Sequence, residues 1–198
     1  MSGRRLRRSG GTPRAQHFLG DAAVAAAIVE AAGVGADDLV VEFGAGYGRL
    51  TQQLALRAGR VVAVEIDIRL AARLAHRFRQ QPNVTVLPAD ALSVPLPRRS
   101  FKVVSNPPFH ITSALLHRLL DDPGVPLLRA DMVVGWGSAL ALTGVFSPAH
   151  RARAWQSRYE FLLIRRLPAE LFNPAPAQDA AIISIRRLAA GAFRSREN

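Results

Sequence analysis

The chain has 198 residues, 49% of them hydrophobic, which is enough to bury one sizeable core. Every apolar run is broken by Arg, Asp, Gly or Pro before it could span a bilayer, and cysteine is absent, which excludes disulfides and thiolate zinc sites. Lys plus Arg total 26 against 15 acidic residues, a net charge of +11 that points to a phosphate-bearing partner. The N-terminus has no charged, apolar and cleavage-site succession, so a cytoplasmic protein with no membrane association is expected.

In chain order, the opening stretch MSGRRLRRSGGTPR is basic and has little to bury. Residues 1–15 are therefore expected as a flexible arm, either a solvated tail or a segment docking on RNA through Arg4, Arg5, Arg7, Arg8 and Arg14. Asp21 is placed to cap an Ala-rich helix that Gly33 ends. The run DLVVEF (38–43) predicts a strand, followed by glycines and a helix over 49–58. VVAVEI (61–66) predicts the next strand and 69–80 the next helix. Residues 84–87, 101–105 and 131–134 predict further buried strands, and continuous apolar strands alternating with helices indicate a parallel sheet covered on both faces. Residues 159–167 and 180–187 have no convincing helix between them and are expected as an antiparallel pair at one side of that sheet. The domain is expected to span 16–190, with 191–198 as a tail, in a monomer.

Chemistry concentrates at the carboxyl ends of these strands. VVEFGAGYGRL places Glu42, Gly44, Gly46 and Gly48 at alternate positions, and Arg49 stands where the dinucleotide fingerprint would need glycine. Glycines here allow positive φ and close backbone approach to a ligand, although a tight turn alone would look the same. The next strand ends Glu65-Ile66-Asp67, where an acid suits ribose hydroxyls, and the next unit ends Asp90-Ala91, where a carboxylate can accept from an adenine amino group. No Lys-Ser/Thr pair follows the glycines, so the loop is not built for nucleoside triphosphates. The ligand this pattern suits is S-adenosylmethionine. No His/Asp/Glu cluster has metal-ligand spacing, so no metal is expected.

EFGAGYGRLT, VVAVEID, PADAL and SNPPF, in this order and spacing, resemble the ribosomal RNA adenine-N6 methyltransferases. That family includes the erythromycin-resistance methylases of 23S rRNA and the dimethyladenosine transferases of 16S rRNA. RAQHFLGD resembles the family's N-terminal cofactor motif, and FNPAPAQDAAIISIRR its closing segment. The resemblance covers residues 14 to 188 and implies a Rossmann-like, seven-stranded class I S-adenosylmethionine-dependent methyltransferase, α/β, with a mostly parallel sheet and an antiparallel terminal strand. It implies cofactor contacts from His17, Gly44, Gly46, Glu65, Ile66, Asp90, Ala91 and Asn106, with Phe109 holding the target base. His17 stands where the family usually has Asn, and Ala181 where it usually has Ser. The family also continues into a small helical domain, whereas ten residues follow Leu188 here, and the arginines of the arm are expected to compensate.

The run SNPPFH then acquires a chemical meaning. Adenine N6 is a poor nucleophile because its lone pair is delocalised into the ring, and acceptors on its protons favour the attacking geometry. Asn106 supplies a side-chain carbonyl and Pro107 a backbone one, fixed by rings that carry no competing N–H. Phe109 is a stacking plate for an extruded base. His110 and His117 are read as flanking a helix in surface roles, and Trp136 and Trp155 as core. The reading that follows is methylation of adenine N6 in 23S rRNA or a large-subunit precursor, conferring macrolide and lincosamide resistance. Its rivals are the 16S rRNA enzyme, other adenine-N6 or glutamine methyltransferases, and a non-catalytic RNA-binding assembly factor.

Overall fold

The computed structural model describes residues 17–19, 22–144 and 154–189. The expectations for the arm, its five arginines, the Asp21 cap and the C-terminal tail lie outside these residues. The strands are β1 (Phe18–Leu19), β2 (Leu39–Phe43), β3 (Arg60–Glu65), β4 (Val84–Pro88), β5 (Phe101–Ser105), β6 (Leu127–Gly135), β7 (Tyr159–Leu167), β8 (Phe172–Asn173) and β9 (Ala180–Arg187). The helices are α1 (Ala22–Ala31), α2 (Arg49–Ala55), α3 (Ile68–Arg77), α4 (Thr112–Leu120) and α5 (Trp136–Thr143).

Seven strands form one sheet in the order β4-β3-β2-β5-β6-β9-β7. The first five run parallel, and β9 enters antiparallel between β6 and β7. Alternation within the apolar strands explains why the runs are continuous. Val41, Phe43, Val103, Met132 and Val134 face a core built with Leu115 and Leu119 of α4. Val40, Val104 and Val133 face the opposite core with Ile28 of α1 and Leu54 of α2. Each such buried side chain contributes about 1.5–3 kcal/mol over its exposed state, so covering both faces fixes the register of the parallel strands.

Several boundaries differ from expectation for local reasons. The helix after the glycines stops at Ala55 rather than Ala58, and Asn83 Nδ2 satisfies the freed carbonyls of Ala55 and Ala58, both at 2.9 Å. Strand β6 begins at Leu127, not Asp131, because Arg129 and Asp131 neutralise each other at 2.6 Å and so tolerate the sheet. His117 lies inside α4 rather than beside it, edge-on to Trp155 at 5.1 Å. Trp155 is core, its Nε1–H donating to Asp121 Oδ1 at 2.9 Å. Trp136 is only half-buried and lies beneath the Arg166 guanidinium, 4.7 Å from the ring centre. Among the described residues no helix is long and apolar enough to cross a membrane, and no group of three His, Asp or Glu side chains could hold a metal.

Candidate active site and cofactor cleft

Between β2 and α2 the chain turns through Gly44, Gly46 and Gly48, all at positive φ. The turn is stitched to β3: Gly44 N–H and Ala45 N–H donate to the Val64 carbonyl at 2.8 and 3.1 Å. All three positions are closed sterically as well, most tightly Gly48, where a Cβ would sit 2.5 Å from Leu74 Cδ2. A Cβ on Gly46 would sit 2.7 Å from Phe18 Cε1, and one on Gly44 3.2 Å from Pro108 Cδ. The loop is thus pressed between β1 on one side and the proline motif on the other.

Glu65, read from sequence as a ribose ligand, is 1% exposed and bridges two loops. Its Oε2 accepts from Gly46 N–H at 2.8 Å and its Oε1 from Asp67 N–H at 2.9 Å. Each oxygen retains a second lone pair for a hydroxyl. Asp67 is set apart from this role, because its Oδ1 caps α3 by accepting from Arg69 and Leu70 N–H at 2.7 and 3.1 Å.

The proline motif is anchored where β5 ends. Ser105 is fully buried, and its Oγ accepts from Phe43 N–H at 2.9 Å, locking the ends of β5 and β2 together. Asn106 Nδ2 donates to the His17 carbonyl at 2.9 Å. That bond turns Oδ1 the other way, where it is buried with no partner. Buried acceptors are nearly always satisfied, so an orphan at this position is an acceptor held open for a ligand. His17 is fixed in turn by its Nδ1–H, which donates to the Pro174 carbonyl at 2.8 Å. The Phe109 ring lies 5.6 Å from the His17 ring and edge-on to Phe172 at 6.3 Å.

These contacts expose a pairing that no local signal announces. β1 and β8 form a two-stranded sheet, Phe18 opposite Asn173 and Leu19 opposite Phe172. The two flanking signatures of the sequence therefore meet each other, the first lining the site with His17, Phe18 and Leu19 and the second backing it through β8.

The cleft has two halves that share Gly44 and Pro108. The first, ≈ 540 Å³, is lined by His17, Asn106, Pro107 and Phe109 together with Glu42, Tyr47 and Arg49. The second, ≈ 670 Å³, is lined by Ile66, Asp90, Ala91 and Ile111. Ile66 is 61% exposed and offers an apolar plate. Asp90 is held by an Asx turn, its Oδ1 accepting from Leu92 N–H at 2.9 Å. Arg118 fixes the same loop through the Ala91 carbonyl at 2.6 Å and the Val94 carbonyl. A cradle whose glycines leave no space for a Cβ, an apolar plate with a carboxyl beside it and an open acceptor together fit S-adenosylmethionine. Gly46 and Glu65 line neither half; they hold the loop between them.

Sequence reasoning passed over Glu42, Tyr47, Arg49 and Arg118 as site residues. Glu42 is wholly buried at the end of β2, and burial pushes its carboxyl up to about 8, opposed by the Thr51 hydroxyl that donates to it at 2.6 Å. An acid inside the apolar run VVEF was the available signal.

Known proteins bear on this site directly. The model of the family described as ribosomal RNA adenine dimethylase matches residues 11–193. A Bacillus licheniformis protein named rRNA adenine N-6-methyltransferase is 33% identical over 172 residues, covering 87% of this chain and 60% of that protein. Its namesake in Aeromicrobium erythreum is 38% identical, covering 87% of this chain and 50% of that one. A Synechococcus protein named ribosomal RNA small subunit methyltransferase A is 36% identical, covering 86% and 64%. The chain thus spans between half and two-thirds of the length of these relatives. The crystal structure of the 23S rRNA methyltransferase ErmE superposes with a TM-score of 0.82 at 35% identity, over 87% of this chain and 70% of that one. The dimethyladenosine transferase of Plasmodium falciparum, at 23% identity and a TM-score of 0.78 over 87% and 64%, shares the fold. By the extent of the family match and the identity of its relatives, this chain belongs to the ribosomal RNA adenine dimethylase family.

Proposed function

We propose that the protein transfers a methyl group from S-adenosylmethionine to the exocyclic N6 of an adenine in ribosomal RNA. The observation that carries this reading is the buried, unpartnered Asn106 Oδ1 beside Phe109 in the same half of the cleft. Bound in the cleft, the cofactor supplies a methyl group on a sulfonium, so that the C–S electron pair leaves on sulfur as the N–C bond forms. Asn106 Oδ1 and the Pro107 carbonyl accept hydrogen bonds from the two amino N–H groups and orient the nitrogen lone pair. The Nδ2 bond to the His17 carbonyl keeps Oδ1 aimed at the amine. Phe109 stacks on the adenine, which stabilises an extruded base by about 1–3 kcal/mol. The methylated amine releases its proton to water, so positioning supplies the acceleration and no dedicated base is required. Glu65 and Ile66 serve the ribose and adenine of the cofactor, and Asp90 accepts from its amino group.

Within the family we assign the target to 23S rRNA, with macrolide and lincosamide resistance as the consequence. The similarity to ErmE in both sequence and fold supports this, as do the NPPF motif followed by Thr112-Ser113 and the arginine-rich composition. The small-subunit relatives, of similar identity, keep 16S rRNA as the second reading. Arg4, Arg5, Arg7, Arg8 and Arg14 are assigned to RNA phosphates. Labelled cofactor offered with purified 23S and 16S rRNA decides between the two targets. Transfer to 23S alone, lost in Asn106→Ala, is expected. Transfer to 16S alone overturns the target, and transfer undiminished in Asn106→Ala overturns the mechanism.

A further inference from the structure

S-adenosylmethionine is an adenosine at one end and an amino acid at the other, and the second end carries an α-carboxylate. A carboxylate drawn out of water needs a cationic or hydrogen-bonding partner. The two halves of the cleft fix which way the molecule lies. Ile66, Asp90 and Ala91 offer an adenine site in one half. The open acceptor of Asn106 marks where the methyl group is used, in the other. The amino-acid tail therefore occupies the half lined by Asn106.

Four lining side chains of that half bear ionisable groups, namely His17, Glu42, Tyr47 and Arg49, and of these Tyr47 offers a single hydroxyl rather than a cation. His17 Nδ1–H is committed to the Pro174 carbonyl. Glu42 is an acid held beneath the loop by Thr51. Arg49 opens α2, is exposed, and pairs with no described carboxylate. The nearby Arg77, by contrast, already spends its donors on the Tyr47 carbonyl at 2.8 Å and on Gln52 Oε1 at 2.5 Å. We infer that Arg49 is the residue that holds the α-carboxylate of the cofactor's amino-acid tail. Its planar fork suits two parallel N–H···O bonds to a carboxylate, which a lysine cannot reproduce. This inference rests on the cofactor reading given above.

Calorimetry with two probes separates the inference from that reading. S-adenosylhomocysteine has the full amino-acid tail, and 5′-methylthioadenosine has none. For Arg49→Ala, S-adenosylhomocysteine affinity is expected to fall by roughly tenfold or more, the scale of a charge-assisted bond. Affinity for 5′-methylthioadenosine is expected to stay within about twofold, which also reports that the variant is folded. Arg49→Lys is expected to fall between the two proteins. Unchanged S-adenosylhomocysteine affinity in Arg49→Ala overturns the inference and leaves the cofactor reading intact. Equal loss of both probes overturns it as well, since the side chain would then act on the cradle rather than the tail. An unaltered protein that binds neither probe removes the cofactor reading, and the inference with it.

Discussion

The two halves of the cleft are finished in different ways. In the half lined by Ile66 and Asp90, polar groups are largely satisfied by their own loops: Asp90 by Leu92 N–H, and the loop itself by Arg118. The neighbouring Glu65 is likewise occupied, by two backbone amides. That half is a socket braced by bonds to its own loop. In the half lined by Asn106 and Phe109, side chains supply the surface and one buried acceptor is left open. A braced socket suits a ligand that binds the same way in every cycle. An open valence suits the group that must be bonded only as it reacts.

Substitutions should break this contrast in graded fashion. Asn106→Ala removes the open acceptor, and kcat for methyl transfer should fall about 10²–10³-fold, the usual scale for one preorganised hydrogen-bonding group. Retained 5′-methylthioadenosine affinity in the same variant would show the socket unharmed. Phe109→Ala removes only the plate, and KM for RNA should rise roughly tenfold, with kcat at saturating RNA moving less. Gly46→Ala strikes the element common to both halves. Positive φ costs a non-glycine residue about 1–2 kcal/mol, and its Cβ would meet the Phe18 ring. The melting temperature should drop by roughly 2–8 °C, measured by thermal denaturation. The last effect is a slope rather than a single loss. Because Glu42 holds its proton up to about pH 8 in the folded protein but only to about 4.5 in the ordinary state, the folded state binds more protons between those values. Stability therefore falls as pH rises through that window. Glu42→Gln cannot ionise and should flatten the pH profile of thermal stability there. A slope unchanged in that variant would assign it to another group.

How much of this was legible in the sequence depends on the range of the contacts involved. The parallel strands, the glycine turn and the acids at strand ends were readable because each is a local pattern with a local cause. The turn at Asn106 was readable because two prolines after a buried strand demand one, whereas the role given to Asn106 came with the family resemblance. Neighbouring residues said nothing of Glu65 being braced by two backbone amides, nor of Asn106 leaning on His17, 89 residues away in the chain. Strand β6 was underestimated because Arg129 reads as a surface residue until its partner Asp131, two positions on, is seen beside it. Glu42 was quoted within a motif but given no role, since its burial comes from packing and not from spacing.

The placement of β9 also has a consequence in time. β7 is made before β9, yet its only described partner in the sheet is β9, which alone joins it to β6. β7 must therefore wait, unpaired, while the next stretch of chain is synthesised. That stretch contains β8, which completes the pairing that seats His17 and Phe18. As the chain leaves the ribosome, the half lined by Ile66 and Asp90 can take shape early, with β2, β3, β4 and β5. The wall beside the open acceptor closes only once β8 has emerged. A nascent chain thus completes one half of the cleft before the other.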